Sequence, residues 1–167
     1  QGYKRIATIS QDYTFGHEQC GGLAQVFTEG GREIVQQFWH PLNTADFSPY
    51  LGQLAELKVD AIFAMENGAD STRFIQQYAS FGLKAKTPLL MAMNGTDQSV
   101  IRTIGEEAEG IISPAHFAEG SDNAVTAKFE KDYEAKFGKI PSLYGFSMYS
   151  GIMWIDAALK KMGGKVE

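Results

Sequence analysis

The chain has 167 residues, 44% of them hydrophobic, and a formal net charge of −5. This is enough apolar material for one substantial core, and the basic residues are scattered singly rather than gathered into a phosphate-neutralising stripe, so nucleic acid is not an expected partner. No apolar run approaches the ~20 residues of a membrane span, the start Gln1-Gly2-Tyr3-Lys4 has no secretion signal, and the lone Cys20 excludes an internal disulfide and multi-cysteine metal sites.

Tyr3 to Ser10 is mostly apolar and β-branched and predicts a first strand; because it opens the chain without a tail, we expect a piece of something longer. A loop from Gln11 to Gly16 follows, then a helix with the inward stripe Cys20, Leu23, Ala24 and Phe27, ended by Gly30-Gly31. Glu33 to Trp39 is a second strand. Asp46 stands where a helix cap belongs, ahead of the inner face Phe47, Leu51 and Leu54, and Pro49 falls in the first turn, where a missing N–H costs little. Val59 to Met65 is a third strand, Phe74, Ile75, Tyr78 and Phe81 form a third helical face ended by Gly82, and Pro88 to Met93 is a fourth strand. Strict alternation of strands and amphipathic helices predicts an α/β fold, a three-layer doubly wound parallel sheet, because each parallel connection must cross over.

After a short helix around Val100, Ile101 and Ile104, the segment Gly110 to Phe117 reads as a fifth strand or an extended crossover, with Pro114 making it an edge or exit. Two helices come last, Asn123 to Phe137 with Val125, Phe129, Tyr133 and Phe137 inward, and Leu143 to Met162 with Met148, Ile152, Ile155, Leu159 and Met162 inward. No strand follows for them to cover, which is what remains when a chain crosses into another lobe. The pattern thus changes from alternating strands and helices to an extended segment followed by two helices.

In an open parallel sheet, ligands bind beyond the carboxyl ends of the strands where the strand order reverses. With the flavodoxin-like order 2-1-3-4-5, that point lies between the first and third strands. The loops Gln11 to His17, Glu66 to Ser71 and Met93 to Asp97 then offer Tyr13, Phe15, Gly16, His17, Asn67, Gly68, Met93 and Asn94 as ligand-binding residues. Plainer roles stand beside each. Tyr13 and Phe15 can staple the loop to the helix start, and Asn67-Gly68 or Asn94-Gly95 can be turns supplying a positive φ. His17 and His116 can be solvated, Cys20 can be core, and Glu18 can be a first-turn acid favourable to the helix dipole. There is no Gly-x-Ser-x-Gly, no phosphate loop ending in Lys-Ser or Lys-Thr, and no histidine pair at metal-ligand spacing. Binding rather than catalysis is therefore expected, with no catalytic residue, no metal and no cofactor.

Several stretches resemble the leucine, isoleucine and valine-binding protein family, the type I periplasmic binding proteins. They are Tyr13-Thr14-Phe15-Gly16, Asp46-Phe47-Ser48, Leu57-Lys58-Val59-Asp60-Ala61-Ile62-Phe63, Gly82-Leu83-Lys84, Ala108-Glu109-Gly110-Ile111, Phe129 to Phe137 with Gly138 and Pro141, and Tyr149. The resemblance implies a receptor of two α/β lobes joined by three crossovers, closing on a ligand in the cleft. It implies that this chain supplies the second lobe, an α/β ligand-binding lobe over 1–112, followed over 113–167 by an interlobe crossover and two helices that cover the first lobe's sheet. It further implies an ABC transporter permease as partner and a periplasmic or extracellular lipid-anchored location. The exposed stripes of the last helices could also pack on another copy. Amino-acid binders of the family place a tyrosine where this chain has Phe15, another where it has Asn67 or Gly68, and an ammonium-pairing glutamate where it has Met93 or Asn94. A buried ammonium without a countercharge costs ~3–5 kcal/mol, so an aromatic carboxylate is favoured over a branched-chain amino acid unless Asp12 or Asp70 substitutes. A ligand-sensing domain of a signalling receptor or an amide-type regulator on the same fold is the alternative.

Overall fold

A computed structural model describes residues 1–164, apart from the side chain of Ser99. Two compact units divide the chain, Gln1–Pro114 and Ala115–Glu167.

In the first unit, β1 (Arg5–Gln11), β2 (Glu33–His40), β3 (Ala61–Met65) and β4 (Leu89–Met91) form a parallel sheet in the order β2-β1-β3-β4. The connections run through α1 (Thr14–Glu29), α2 (Ser48–Glu56) and α3 (Ala69–Ser80), and α4 (Gln98–Ile104) follows β4. Side chains alternate across a strand, and that alternation builds two cores. Ala7, Ile9, Ile62, Ala64 and Met91 face Phe47, Leu51, Leu54, Phe74, Ile75, Tyr78 and Ile104 from α2, α3 and α4. On the opposite face Met65, Ala92, Trp39 and Phe63 meet Cys20 and Phe15 of α1.

Several local expectations need correction. The fifth strand shrinks to a single parallel bridge between Leu90 and Ile112, because Pro114 has no N–H with which to extend the ladder. β1 runs on through Gln11 and α1 begins at Thr14, so the first loop is only Asp12 and Tyr13, and Phe15, Gly16 and His17 lie within the helix. Glu18 then falls beyond the first turn. Asp46 does not cap α2. The cap position is Phe47, without a side-chain bond, and the Asp46 carboxylate accepts the Ser48 N–H at 2.9 Å in a local turn. Phe81 sits past the end of α3 and is exposed, because the chain turns away at Gly82 with φ of 79°.

In the second unit, α5 (Ala124–Phe137) is capped by Asn123, whose side-chain oxygen accepts from the N–H groups of Val125 and Thr126. It packs on α6 (Leu143–Lys161) through aromatic rings, Phe129 meeting Tyr149 at 4.6 Å, and Phe117, from the segment before α5, stacks on Phe146 at 4.6 Å. Val125 and Phe137, expected to point inward, are exposed: Phe129 and Tyr133 form the inner part of this aromatic cluster, and Phe137 meets only its edge, against Tyr133 at 4.5 Å.

Candidate functional site

The carboxyl ends of β1 and β3, adjacent in the sheet, carry the switch point. There the Tyr13 hydroxyl accepts a hydrogen bond from Asn67 Nδ2 at 2.8 Å, joining the two loops across it. Gly68 follows with φ of 59° and ψ of −135°, a conformation reserved in practice for glycine, so the turn role of Asn67-Gly68 holds. Met93 and Asn94 open a short 3-10 turn, Met93–Thr96, directly after β4. Both are half-buried, and the turn packs closely, since a Cβ on Gly95 would overlap the Met91 methyl and Ser71 Oγ.

The other candidates are differently engaged. Phe15 packs against the Cys20, Met65 and Ala92 cluster, with its ring 6.1 Å from that of Tyr13. Gly16 is buried, and a Cβ there would overlap the Gln11 carbonyl oxygen and Ser10 Oγ, so it brings α1 onto β1 rather than offering a surface. His17 Nε2 lies 2.8 Å from Asp12 Oδ1 and its ring stacks at 4.0 Å on Trp39. His116, in the second unit, bonds Ser147 Oγ.

Beneath these loops lies a polar network that neither spacing nor composition announced. His40 ends β2 and Glu66 follows β3, 26 residues apart, and both side chains are fully buried. His40 Nε2 is 3.0 Å from each carboxylate oxygen of Glu66. Its Nδ1 lies 2.9 Å from the Pro41 carbonyl, which can only accept, so Nδ1 carries a proton. With Nδ1 protonated, a single further proton placed between Nε2 and the carboxylate would leave the pair neutral, whichever of the two carries it. Burial raises the Glu66 carboxyl to about 7, opposed by the His40 bond. For His40, burial works against the charged form, but the Glu66 bond and charge, the Pro41 carbonyl and the Asp70 carboxylate together outweigh it, so the imidazole is raised. Beside the pair, buried Asp70 accepts from Gln11 Nε2, from the Asn43 N–H at 2.9 Å and from the Arg73 guanidinium, which also donates to the Thr44 carbonyl. The only sequence signal was polar residues at the ends of otherwise apolar strands.

His40, Glu66 and Asp70 bring potential ligand atoms within 4.8 Å of one another. Their chemistry does not fit a metal. The Arg73 guanidinium already supplies the cation on Asp70, and Gln11 turns its NH2 rather than its carbonyl oxygen toward that carboxylate. The donors answer one another.

A parallel sheet with helices on both faces, in the order β2-β1-β3-β4, defines an open doubly wound α/β fold. The periplasmic binding protein family matches over residues 1–167, and the chain belongs to it. It is 33% identical to an ABC transporter substrate-binding protein from Sphaerobacter thermophilus, with a TM-score of 0.95 over 98% of this chain and 45% of that one. A solute-binding protein of R. palustris in complex with benzoate is 29% identical, with a TM-score of 0.88 and the same two coverages, 98% and 45%. Among curated proteins, the "Leu/Ile/Val-binding protein homolog 6" of Brucella melitensis is 28% identical over 99% of this chain and 43% of its own length. The chain thus spans less than half the length of the relatives it matches. Among the described residues no helix is long and apolar enough to cross a membrane.

Proposed function

We propose that this chain is the second lobe, with a crossover and two further helices, of an extracytoplasmic solute receptor serving an ABC-type uptake system. It binds a small carboxylate in the interlobe cleft, an aromatic acid in preference to a branched-chain amino acid. It is a binding protein and not an enzyme, and its macromolecular partner is a membrane permease.

The observation that carries the ligand preference is the state of the acids nearest the switch point. Glu66 is turned inward onto His40, Asp70 is held by Arg73, Gln11 and Asn43, and Asp12 faces His17. Asp12 and Asp70, the two acids able to replace the missing ammonium partner, therefore already have cationic or donor partners. Freeing the buried Asp70 would break a buried pair, at a cost of ~3–5 kcal/mol, whereas the Asp12–His17 pair is exposed and costs little to part. What the loops present instead is the Tyr13 ring, the Asn67 amide and the thioether of Met93, surfaces suited to an aromatic ring with a hydroxyl or carboxylate nearby. The benzoate complex of the R. palustris relative supports the same class. The branched-chain reading has the names of the curated relatives in its favour.

A thermal-shift screen of the full-length receptor decides between them, since a ligand that binds only the folded state raises the melting temperature. Benzoate and hydroxybenzoates are expected to stabilise it, and leucine and valine to leave it unmoved. The reverse pattern would mean that an acid at this site is released to meet an ammonium.

A further inference from the structure

His40 touches both halves of the switch-point surface. Its carbonyl accepts the Asp12 N–H at 2.7 Å, one residue before Tyr13. Its imidazole holds the carboxylate of Glu66, one residue before Asn67. The Glu66 backbone is fastened in turn, its carbonyl accepting Ser71 Oγ at 3.0 Å, and the next free joint is Gly68. Glu66 and Asn67 are adjacent in the chain, so the imidazole–carboxylate pair and the Asn67–Tyr13 bond stand on one short segment.

The pair has one proton to lose. With Nδ1 bound to the Pro41 carbonyl, removing the shared proton leaves the Glu66 carboxylate facing the bare lone pair of Nε2. The surroundings do not compensate. Around His40 stand the Asp70 carboxylate from α3, the Thr44 hydroxyl, and the Tyr50 and Phe47 rings, with Phe47 edge-on at 4.8 Å. Around Glu66 are Asp70 again and the Cys20 thiol of α1. Arg73 is the cation of this group, and it is spent on Asp70.

We propose that His40 and Glu66 are positioning residues: the proton they share holds Asn67 against Tyr13, and its loss opens that contact. The consequence for ligand rests on the reading of this surface as the binding site. Burial raises Glu66 to about 7, so the loss falls within the range a receptor meets outside the cytoplasm.

Two measurements on the full-length receptor test this. In the first, isotope-edited NMR follows the Asn67 side-chain amide, the Gly68 amide and the His40 ring from about pH 5.5 to about pH 8.5. The two loop signals are expected to move with the His40 midpoint. In Glu66→Gln, whose amide donates to Nε2 without a shared proton, they should not move. Loop signals that stay fixed in the wild type while His40 titrates overturn the proposal, whatever the variant does. In the second, calorimetry with benzoate is expected to show affinity falling roughly tenfold over the same rise, and no pH dependence in Glu66→Gln. Benzoate binding that ignores pH while the loops move would show that the surface lies outside the ligand site. Absence of benzoate binding at every pH, with the loops still following His40, would remove the aromatic-acid reading and leave the positioning role supported.

Discussion

Gly16 has no room for a side chain: a Cβ would overlap backbone of β1 and the Ser10 hydroxyl. Gly16→Ala should therefore force α1 off the sheet and destabilise the first unit by about 1–3 kcal/mol, read from denaturant unfolding. Cys20, wholly buried with its thiol raised to about 11 by burial, should resist thiol reagents in the native state and react only on unfolding. The His40–Glu66 pair gives a stability prediction of definite sign. Both folded values are raised, so the stabilisation is fully present below the unfolded values and is lost as pH rises through the folded ones, near 7 for Glu66. Thermal melts should show stability falling between about pH 4.5 and about pH 7 in the wild type as the Glu66 carboxyl ionises, and that slope should flatten in Glu66→Gln. Tyr13 and Asn67 were legible in advance because a topological rule selects loops. His40 and Glu66 were not, since nothing in the sequence says that residues 26 apart will share a proton once buried.

At the scale of elements, hydrophobic period and glycine punctuation placed the four strands of the sheet and the α-helices, but not the 3-10 turns. They failed on the expected inward face of the last helix, where Met148, Ile152, Ile155, Leu159 and Met162 are exposed, and at element ends, where hydrogen bonding decides. Gln11 belongs to β1 because Gln11 pairs with His40 across the ladder, and no composition rule reveals that. Asp46 looks like a cap in sequence, yet its carboxylate satisfies a turn N–H before α2 begins. Asn123 is a true cap, accepting two N–H groups of α5. Asn123→Ala should cost about 1 kcal/mol of stability in the second unit and Asn123→Asp almost nothing, compared by thermal melts with circular dichroism at the helix band. A loss no larger in the alanine variant than in the aspartate one would mean that ring packing, not capping, sets the start of α5.

At the scale of the whole molecule, α6 presents the largest mismatch between composition and surroundings. Met148, Ile152, Trp154 and Ile155 are 73%, 66%, 80% and 55% exposed, and they lie on more than one side of the helix. A helix apolar on most of its circumference is built for a core, and a continuous exposed patch of this kind marks a contact surface. Under the proposed lobe arrangement, that core is the sheet of the other lobe. The chain by itself should then self-associate through α6, with sedimentation mass rising with concentration and Trp154 emission shifting to the blue as it is covered. Ile152→Glu should lower the association without unfolding the first unit, whose core shares no residue with α6. In the full-length receptor, Trp154 should emit blue at every concentration. A monomer at high concentration with red Trp154 emission in both forms would mean that the last helices cover no second sheet.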